Sequence, residues 1–285
     1  MRVKGWMKAM LCRLVARVCR PSERRVVVLC YHSIHPQKAF SSATPELLAQ
    51  HLVWLKTHCR LIPFSQALQA AQKERGDRPF VAVTFDDGYA DNYEYAFPLL
   101  RQYGVPATFF VTVGMVERDP GVLERVQALR GASLKDIRPL TWQQVRELCD
   151  AGMTIGSHTW SHANLARLAP EESREELRRS REVLEDRLGK AVRVLAYPFG
   201  KPRRHFTSRT LELAAEVGYQ MAAAVVFRGV NAVDPALSIP RFFVTRDSME
   251  TLAGKVIGAW DWLGWWQERG PLWLARLVSP EDFKV

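Results

Sequence analysis

Short apolar runs alternate along the chain with longer amphipathic segments, and this alternation is the feature that most constrains the fold. The runs are rich in β-branched and aromatic residues, which predicts strands at Val26–Tyr31, Phe80–Phe85, Ala107–Val113, Met153–Ile155, Val192–Tyr197 and Met221–Val226. Helical periodicity between them predicts helices from Thr44 onward and over 92–103, 141–151, 170–188 and 207–217. Strands that alternate with helices pair in parallel through right-handed crossovers, so an α/β barrel or an open parallel sheet is expected.

The composition is that of a globular protein and not of a nucleic-acid-binding one. The 285 residues are 47% hydrophobic, and no uncharged apolar stretch reaches the length of about 18 residues that a membrane span needs. The net charge of +10 is concentrated in residues 1–25, where eight lysines and arginines accompany one glutamate. The rest of the chain is close to neutral, so no basic groove for nucleic acid is expected. The five cysteines are odd in number and lack a Cys-x-x-Cys motif, which indicates a reducing compartment.

The two ends of the chain suit a lipid surface. Residues 1–22 have apolar side chains at helical spacing and cations opposite them, which predicts a basic amphipathic helix in an anionic membrane surface. The alternative is a helix packed on the domain with solvated cations. The tail, 248–285, holds five of the nine tryptophans and predicts either an interfacial segment or a hydrophobic lid on the fold. Between these ends, 23–247 is expected to be one catalytic domain, with 114–140 as an insertion beside the substrate cleft.

Polar residues that an ordinary α/β domain does not require follow four of the predicted strands. They are Cys30-Tyr31-His32, Thr84-Phe85-Asp86-Asp87-Gly88, Ser157-His158-Thr159-Trp160-Ser161-His162 and Tyr197-Pro198-Phe199-Gly200. In a barrel, the carboxyl ends of the strands share one mouth, so these motifs are expected to meet. One aspartate and two histidines four residues apart can bind a divalent metal and leave positions open for water and substrate.

The order Thr-Phe-Asp-Asp-Gly, Ser-His-x-x-x-His and Tyr-Pro-Phe-Gly resembles the polysaccharide deacetylase family, also called the NodB homology or carbohydrate esterase 4 domain, over residues 26–245. The resemblance implies a distorted (β/α)7-type barrel and metal-dependent hydrolysis of an N-acetyl, sometimes O-acetyl, group on a sugar. By position, it implies that Asp86 is the general base. It also implies that the metal ligands are Asp87, His158 and His162.

The same resemblance bears on four further residues. It implies that the backbone N–H of Phe199 helps to hold the oxyanion. Many members take their general acid from a late Leu-x-His motif, but no histidine follows His205 here. His32 is expected to supply this proton, as in permuted relatives that act on poly-N-acetylglucosamine; the alternative is that it only hydrogen-bonds inside the barrel. The arginine that often precedes Tyr-Pro and orients the base is also absent, and Arg241 is expected to reach in from a neighbouring strand. His205 is expected at the rim.

Together these features predict a hydrolase that uses a divalent cation, zinc before other ions, to remove an N-acetyl group from an amidosugar of a polysaccharide or a lipid-linked glycan. Arg13 and Arg17 interrupt any secretory signal, so a cytoplasmic location at the inner membrane face is expected, with a membrane-proximal glycan as substrate. The rival substrate is a soluble or extracellular polysaccharide. The alternative function is a non-catalytic glycan-binding or membrane-scaffold module that retains the metal site. The sugar, its linkage, the acyl group and the oligomeric state stay open.

Overall fold

The computed structural model describes residues 25–37, 40–73, 76–131, 133 and 136–269, and its centre is one parallel sheet. The strands are β1 (Val26–Tyr31), β2 (Arg60–Leu61), β3 (Phe80–Phe85), β4 (Ala107–Val111), β5 (Thr154–Ser157), β6 (Val194–Ala196), β7 (Met221–Ala223) and β8 (Phe242–Phe243). Their order is β7-β6-β5-β4-β3-β1-β8, with β2 beside β3, and each of these pairs is parallel. The predicted α/β fold with a parallel sheet is confirmed.

The sheet curls until its two ends meet. Ile239 pairs with Ala223 of β7, and a few residues later Phe242 of β8 pairs with Leu29 of β1. The segment from Ile239 to β8 therefore connects β7 to β1 and closes the sheet. This curled arrangement is the distorted (β/α)7-type barrel that the family resemblance implies.

Helices surround the sheet, most of them on its outside. They are α1 (Pro45–His58), α2 (Ala67–Lys73), α3 (Phe97–Tyr103), α4 (Val113–Val116), α5 (Pro120–Arg130), α6 (Trp142–Asp150), α7 (Pro170–Leu188), α8 (Ser208–Val217), α9 (Met249–Ile257) and α10 (Asp261–Arg269). Local signals set several of their ends. The Thr44 hydroxyl accepts from the Leu47 N–H at the start of α1, and Gly189 ends α7 in the left-handed conformation.

Alternate residues of the strands face two separate cores, and this alternation places the polar residues of β3. Phe80 and Ala82 pack in a cluster that also contains residues of α2, which defines the inner face of the sheet. The intervening side chains pack in the larger cluster with the other helices; they are Val81, Val83 and Phe85. Because side chains alternate along a strand, Thr84 and Asp86 continue the inner face.

Several element predictions are corrected. Strands β2 and β8 are not predicted, because each has only two residues, too few to show an alternating pattern. The predicted helix over 92–103 begins as a π-helical segment, Asn92–Ala96, before α3. The segment 114–140, predicted as an insertion, contains the helix α5. Its N-cap Asp119, its Pro120 and its Gly131 are ordinary helix signals that could have predicted it. Strands β4, β6 and β7 are shorter than predicted: all three end earlier, where the chain enters the loops of the barrel mouth, and β6 also begins two residues later.

The predictions for residues 1–22 and for Trp273 concern positions outside the described residues. The described part of the tail forms α9 and α10. Within the ranges given above, no helix combines the length and the apolar character that crossing a membrane would take.

Candidate active site

Asp86 lies just past β3 and is bound by an arginine from far along the chain. Arg241, which precedes β8, donates Nη1 to Oδ1 over 2.7 Å and Nη2 to Oδ2 over 2.8 Å. Arg241 is fully buried and Asp86 is 2% exposed. Burial by itself raises the pKa of Asp86, but the adjacent guanidinium lowers it, and the net shift is downward. Asp86 is therefore an ionised carboxylate held in one orientation.

Two further side chains complete the surroundings of this ion pair. The Thr84 hydroxyl accepts from Arg241 Nη1 over 3.0 Å and donates to the Leu29 carbonyl over 2.9 Å, so it fixes the guanidinium. The Cys30 thiol donates to Asp86 Oδ2 over 3.3 Å. Burial raises the pKa of Cys30 well above its usual value, which keeps the thiol protonated. The thiol acts here as a hydrogen-bond donor and not as a nucleophile.

Asp87 leaves the strand in a left-handed conformation. Its φ is +74° and that of Gly88 is +82°. In a continuing strand, Asp87 would point to the face opposite Asp86, among the helices. The left-handed turn instead directs its carboxylate toward the loop after β5, and Gly88 fits because the Val111 side chain approaches its missing Cβ to 3.2 Å. Two adjacent aspartates thereby acquire different surroundings.

The carboxylate of Asp87 lies between two histidine rings. Its Oδ1 is 3.5 Å from Nε2 of His158 and 3.3 Å from Nε2 of His162. All three side chains are buried, and within the described residues this oxygen has no hydrogen bond. Nδ1 of His158 is 2.7 Å from the carbonyl oxygen of Ala196, which can only accept, so Nδ1 carries a proton and Nε2 is the nitrogen left to bind a metal. A buried oxygen without a donor faces two imidazole nitrogens.

These three residues fit a divalent metal. Two ligand atoms bound to one zinc ion at about 2.0–2.1 Å in tetrahedral geometry lie about 3.3 Å apart, which matches the two separations just given. Burial lowers the pKa of His162, so its ring is neutral, as a metal ligand must be. One carboxylate and two imidazoles leave coordination positions for substrate and water.

Arg130 also binds Asp87, and the sequence analysis missed it. Its Nη2 pairs with Asp87 Oδ2, and its Nε donates to the Tyr89 hydroxyl over 2.9 Å. Burial raises the pKa of Asp87, but the Arg130 charge and the neighbouring histidines together outweigh that effect, and the pKa falls well below its usual value. Arg130 is the last residue of α5. The helix signals of Asp119, Pro120 and Gly131 could have placed it at a helix end, but not beside Asp87.

His32 follows β1 and faces the Asp86 ion pair. Its backbone is held by a hydrogen bond to the Ser42 hydroxyl and by one from the Asn92 amide, of 2.9 and 2.7 Å. A nitrogen of its ring, the Cys30 sulfur and a carboxylate oxygen of Asp86 lie within 4.8 Å of one another. Burial lowers the pKa of His32 to about 4, so the ring is neutral near pH 7. The expected proton donor therefore does not carry its extra proton in the resting protein.

Asp91 supports the loop that carries His32, and it too was not predicted. Its Oδ2 accepts from the Ser33 hydroxyl over 2.6 Å, and its Oδ1 accepts from the Ile34 N–H over 3.2 Å. Asp91 lies four residues after Asp87, at the start of the helical segment that follows the turn after β3. This stretch of chain thus positions both the Asp87 carboxylate and the loop that carries His32.

Phe199 lies in the turn after β6, with a φ of +61°. Its ring centroid is 4.8 Å from that of His162 and 5.1 Å from that of His205. The expectation that His205 is a rim residue is wrong, because it is 5% exposed. Its Nδ1 accepts from the Lys201 N–H over 3.1 Å, so the His205 side chain stabilises the turn that carries Phe199. His205 also lies outside the group of possible metal ligands in the described residues.

The chain matches a family model and several curated proteins. The model, described as polysaccharide deacetylase, matches residues 73–222, more than half of the chain. YxkH of Bacillus subtilis strain 168, whose name proposes a polysaccharide deacetylase, is 30% identical over 199 residues. The match covers 69% of this chain and 63% of that relative, so the chain spans less than two thirds of it. A poly-β-1,6-N-acetyl-D-glucosamine N-deacetylase of Staphylococcus epidermidis is 22% identical, over 77% of this chain and 72% of that relative.

Solved structures share the fold. The Streptococcus pyogenes deacetylase PplD, solved in complex with acetate, superposes with a TM-score of 0.69 at 23% identity. It covers 84% of this chain and 99% of its own. The IcaB structure from Ammonifex degensii superposes with a TM-score of 0.65 at 26% identity, over 83% of this chain and 99% of that one.

Proposed function

Because the chain belongs to the polysaccharide deacetylase family, we propose that it removes the N-acetyl group from an amidosugar of a glycan in a metal-dependent reaction. The observation that carries the proposal is the buried Oδ1 of Asp87, which has no hydrogen bond and faces two imidazole nitrogens. Asp87, His158 and His162 would hold the ion, and three protein ligands of this kind suit catalytic zinc. A divalent cation supplies Lewis acidity toward the amide carbonyl and the attacking water.

Asp86 accepts a proton from the attacking water in this proposal. Arg241 keeps the carboxylate ionised and binds both of its oxygens, and the Cys30 thiol also binds Oδ2, so one lone pair, on Oδ1, is available to the water. Because the ion pair is buried, the base does not need to reorient as the reaction proceeds. The same guanidinium lowers the pKa of Asp86 and therefore makes this carboxylate a weaker base.

His32 then passes a proton to the leaving nitrogen. An amine leaves a tetrahedral carbon readily only when it is protonated. Since the pKa of His32 is about 4, its ring begins neutral and must gain the proton during turnover. The carboxylate of Asp86 lies within 4.8 Å of that ring. We therefore assign a relay in which the proton moves from water to Asp86, then to His32, and finally to the nitrogen as the C–N bond breaks.

The backbone N–H of Phe199 is assigned to the developing oxyanion. Negative charge gathers on the carbonyl oxygen as water attacks, and a fixed N–H donor stabilises that charge more than it stabilises the neutral amide. The turn is preorganised by its two left-handed residues, Phe199 and Gly200, and by the contact between Phe199 and His205. A donor that is already in place costs no reorganisation.

We propose an N-acetylglucosamine-containing glycan as the substrate. Support comes from the curated relatives named for the N-deacetylation of poly-β-1,6-N-acetyl-D-glucosamine. At 22% identity these relatives leave the linkage open, so short oligomers of different linkages should be compared.

The test combines metal analysis with acetate release from an N-acetylglucosamine oligomer. We expect bound divalent metal, loss of release after chelation and recovery on addition of zinc. His158→Ala should lose both the metal and the release of acetate. His58→Ala is the matched control, since His58 is exposed at the end of α1, and it should change neither.

Two outcomes would contradict this function. Absence of metal even after addition of zinc would exclude the proposed centre. Bound metal without acetate release from oligomers or from N-acetylated lipid-linked glycans would favour the alternative, a non-catalytic glycan-binding or scaffold module.

We also propose that the protein acts at the inner face of the cytoplasmic membrane. The cysteines at positions 30, 59 and 149 are free thiols, which suits a reducing compartment. Protease treatment of intact spheroplasts should leave the protein uncut, and treatment after lysis should cut it. Cleavage in intact spheroplasts would place the domain on the outer side.

A further inference from the structure

Helix α10 directs its aromatic side chains away from the rest of the protein. Trp262, Trp265 and Trp266 are 52%, 48% and 40% exposed. Their spacing of three and four residues places them on one side of the helix, and the rings of Trp265 and Trp266 are in edge contact. We call these three side chains the tryptophan face. They make up half of the large hydrophobic side chains that are exposed in the described residues.

The opposite side of α10 is polar and faces the barrel. Asp261 is held by Arg25 through hydrogen bonds of 2.8 and 2.9 Å, and Glu268 is held by Arg228 through bonds of 2.8 and 3.0 Å. Gly264 lies so close to the backbone of Phe227 and the side chain of Arg228 that an added Cβ would meet their atoms at 2.9 Å. The helix is therefore anchored by its charged side.

This orientation is the reverse of that expected for a helix on a water-soluble surface. A surface helix buries its apolar side and exposes its polar side, because water solvates charges and not aromatic rings. The arginine pairs hold α10 by its polar side, while about half of each side chain of the tryptophan face stays exposed. A contiguous exposed aromatic patch indicates a binding surface.

The positive charge near α10 indicates that the partner of the tryptophan face is anionic. Arg25 is bound to the first residue of α10, and the sequence before it, 1–24, carries seven basic side chains and one acidic one. At the other end of α10, the exposed Arg203 donates to the carbonyl oxygen of Glu268 over 2.9 Å, and Arg269 is exposed too. Tryptophan beside a concentration of cations suits the headgroup region of an anionic bilayer.

We propose that the tryptophan face docks the protein on an anionic lipid bilayer, with the exposed Arg203 and Arg269 adding electrostatic attraction. The indole rings lie at the headgroup boundary, where the ring is buried and its N–H stays hydrated. Attachment holds the protein at the surface at which a membrane-proximal glycan would be presented. The proposal names a partner and does not depend on the chemistry of the active site.

The test uses the full chain and vesicles of phosphatidylcholine with phosphatidylglycerol. We expect the protein to sediment with these vesicles, to sediment less with phosphatidylcholine alone, and to lose tryptophan fluorescence when the lipid is brominated. The triple variant W262Q/W265Q/W266Q should bind at least about tenfold more weakly, because it removes the apolar contacts of an interfacial helix. The matched control V53Q/V233Q removes exposed apolar side chains elsewhere and should bind as the unaltered chain does.

Three results would overturn the proposal. One is undiminished vesicle binding by the triple variant. Another is dissociation of a dimer by the triple variant in light scattering, which would assign the face to a second copy. The third is quenching of the unaltered chain by a soluble glycan oligomer and not by brominated lipid. Asp86→Asn should bind vesicles normally, and the triple variant should still release acetate from a soluble oligomer, which separates this proposal from the proposed reaction.

Discussion

Asp86 and Asp87 are neighbours in the chain and lie in two differently constructed halves of the site. Asp86 is bound on both oxygens by Arg241 and receives the Cys30 thiol as well. Asp87 is bound by Arg130 on one oxygen, and its other oxygen faces His158 and His162 without a hydrogen bond. Both have lowered pKa values and both are ionised, so charge does not distinguish them.

The two aspartates differ in whether both carboxylate oxygens have hydrogen-bond partners. The Asp86 carboxylate has its partners and is oriented, which suits a group that exchanges protons. The Asp87 carboxylate has one buried oxygen without a partner, which suits a group that binds a cation. One left-handed residue, Asp87 itself with its φ of +74°, is enough to separate the two roles.

The largest effect should come from removing the charge of each aspartate in turn. Asp86→Asn should lower turnover by about 10³-fold while metal stays bound, because the base is lost and the ligands are intact. Asp87→Asn should lose the metal, and asparagine also tolerates the left-handed backbone there. Parallel metal analysis and acetate release check this. Metal loss by both variants, or by neither, would end the distinction between the halves.

The second largest effect is expected from breaking the ion pair between Asp86 and Arg241, which should lower the stability of the fold. Arg241→Met leaves a buried carboxylate without its counter-charge and should lower the free energy of unfolding by about 3–5 kcal/mol. Denaturant unfolding measures this. The double variant R241M/D86N is the control, and it should be more stable than R241M alone. Equal instability of the single and double variants would mean that packing, and not charge, is the reason.

Acid should destabilise the folded protein because His32, which lies beside Asp86, becomes protonated. The pKa of His32 is lowered from 6.5 to about 4 by burial, so the unfolded chain binds more protons between these values. The stabilisation is complete above pH 6.5 and is lost as the pH falls toward 4, by at most about 3 kcal/mol. Denaturant unfolding of the metal-free protein at pH 7 and pH 4.5 should show a smaller loss for His32→Gln. An equal loss would show that the ring is not held neutral.

The smallest effect is expected on the Asp87 half. Arg130→Gln removes the partner that orients Asp87, and outer partners of metal ligands affect affinity by about tenfold or more. We expect zinc to bind about tenfold more weakly in a competition titration, with Arg130→Lys between the two. Tighter binding by Arg130→Gln would show that its positive charge repels the ion more than its hydrogen bond organises the ligand.

The local part of the site can be predicted from the sequence, since it depends on spacing along the backbone. Thr84–Gly88 ends a strand of six buried residues, and the period of two along that strand fixes which side Asp86 occupies. His158 and His162 follow β5 in one short loop. The strands of six residues, β1 and β3, are predicted to the residue for the same reason.

Contacts that depend on where distant elements pack cannot be predicted in this way. Arg130 lies 43 residues from Asp87, and nothing within α5 states that its last residue reaches the barrel mouth. His205 has the sequence surroundings of a surface loop, Lys201 and Arg204 among them, and only the fold shows that the Phe199 turn covers it. The neutral state of His32 has the same origin, because burial sets its pKa.

The pairing of Asp86 with a residue 155 positions later has a consequence for how the chain is made. A ribosome releases Asp86 and the first strands long before Arg241 exists, and during that interval the inner face carries a carboxylate without its counter-charge. The nascent barrel therefore has an electrostatic reason to stay open until β8 arrives. A chain that ends before residue 241 keeps that unpaired charge, and we expect it to be less stable and more readily cut by proteases than the full chain.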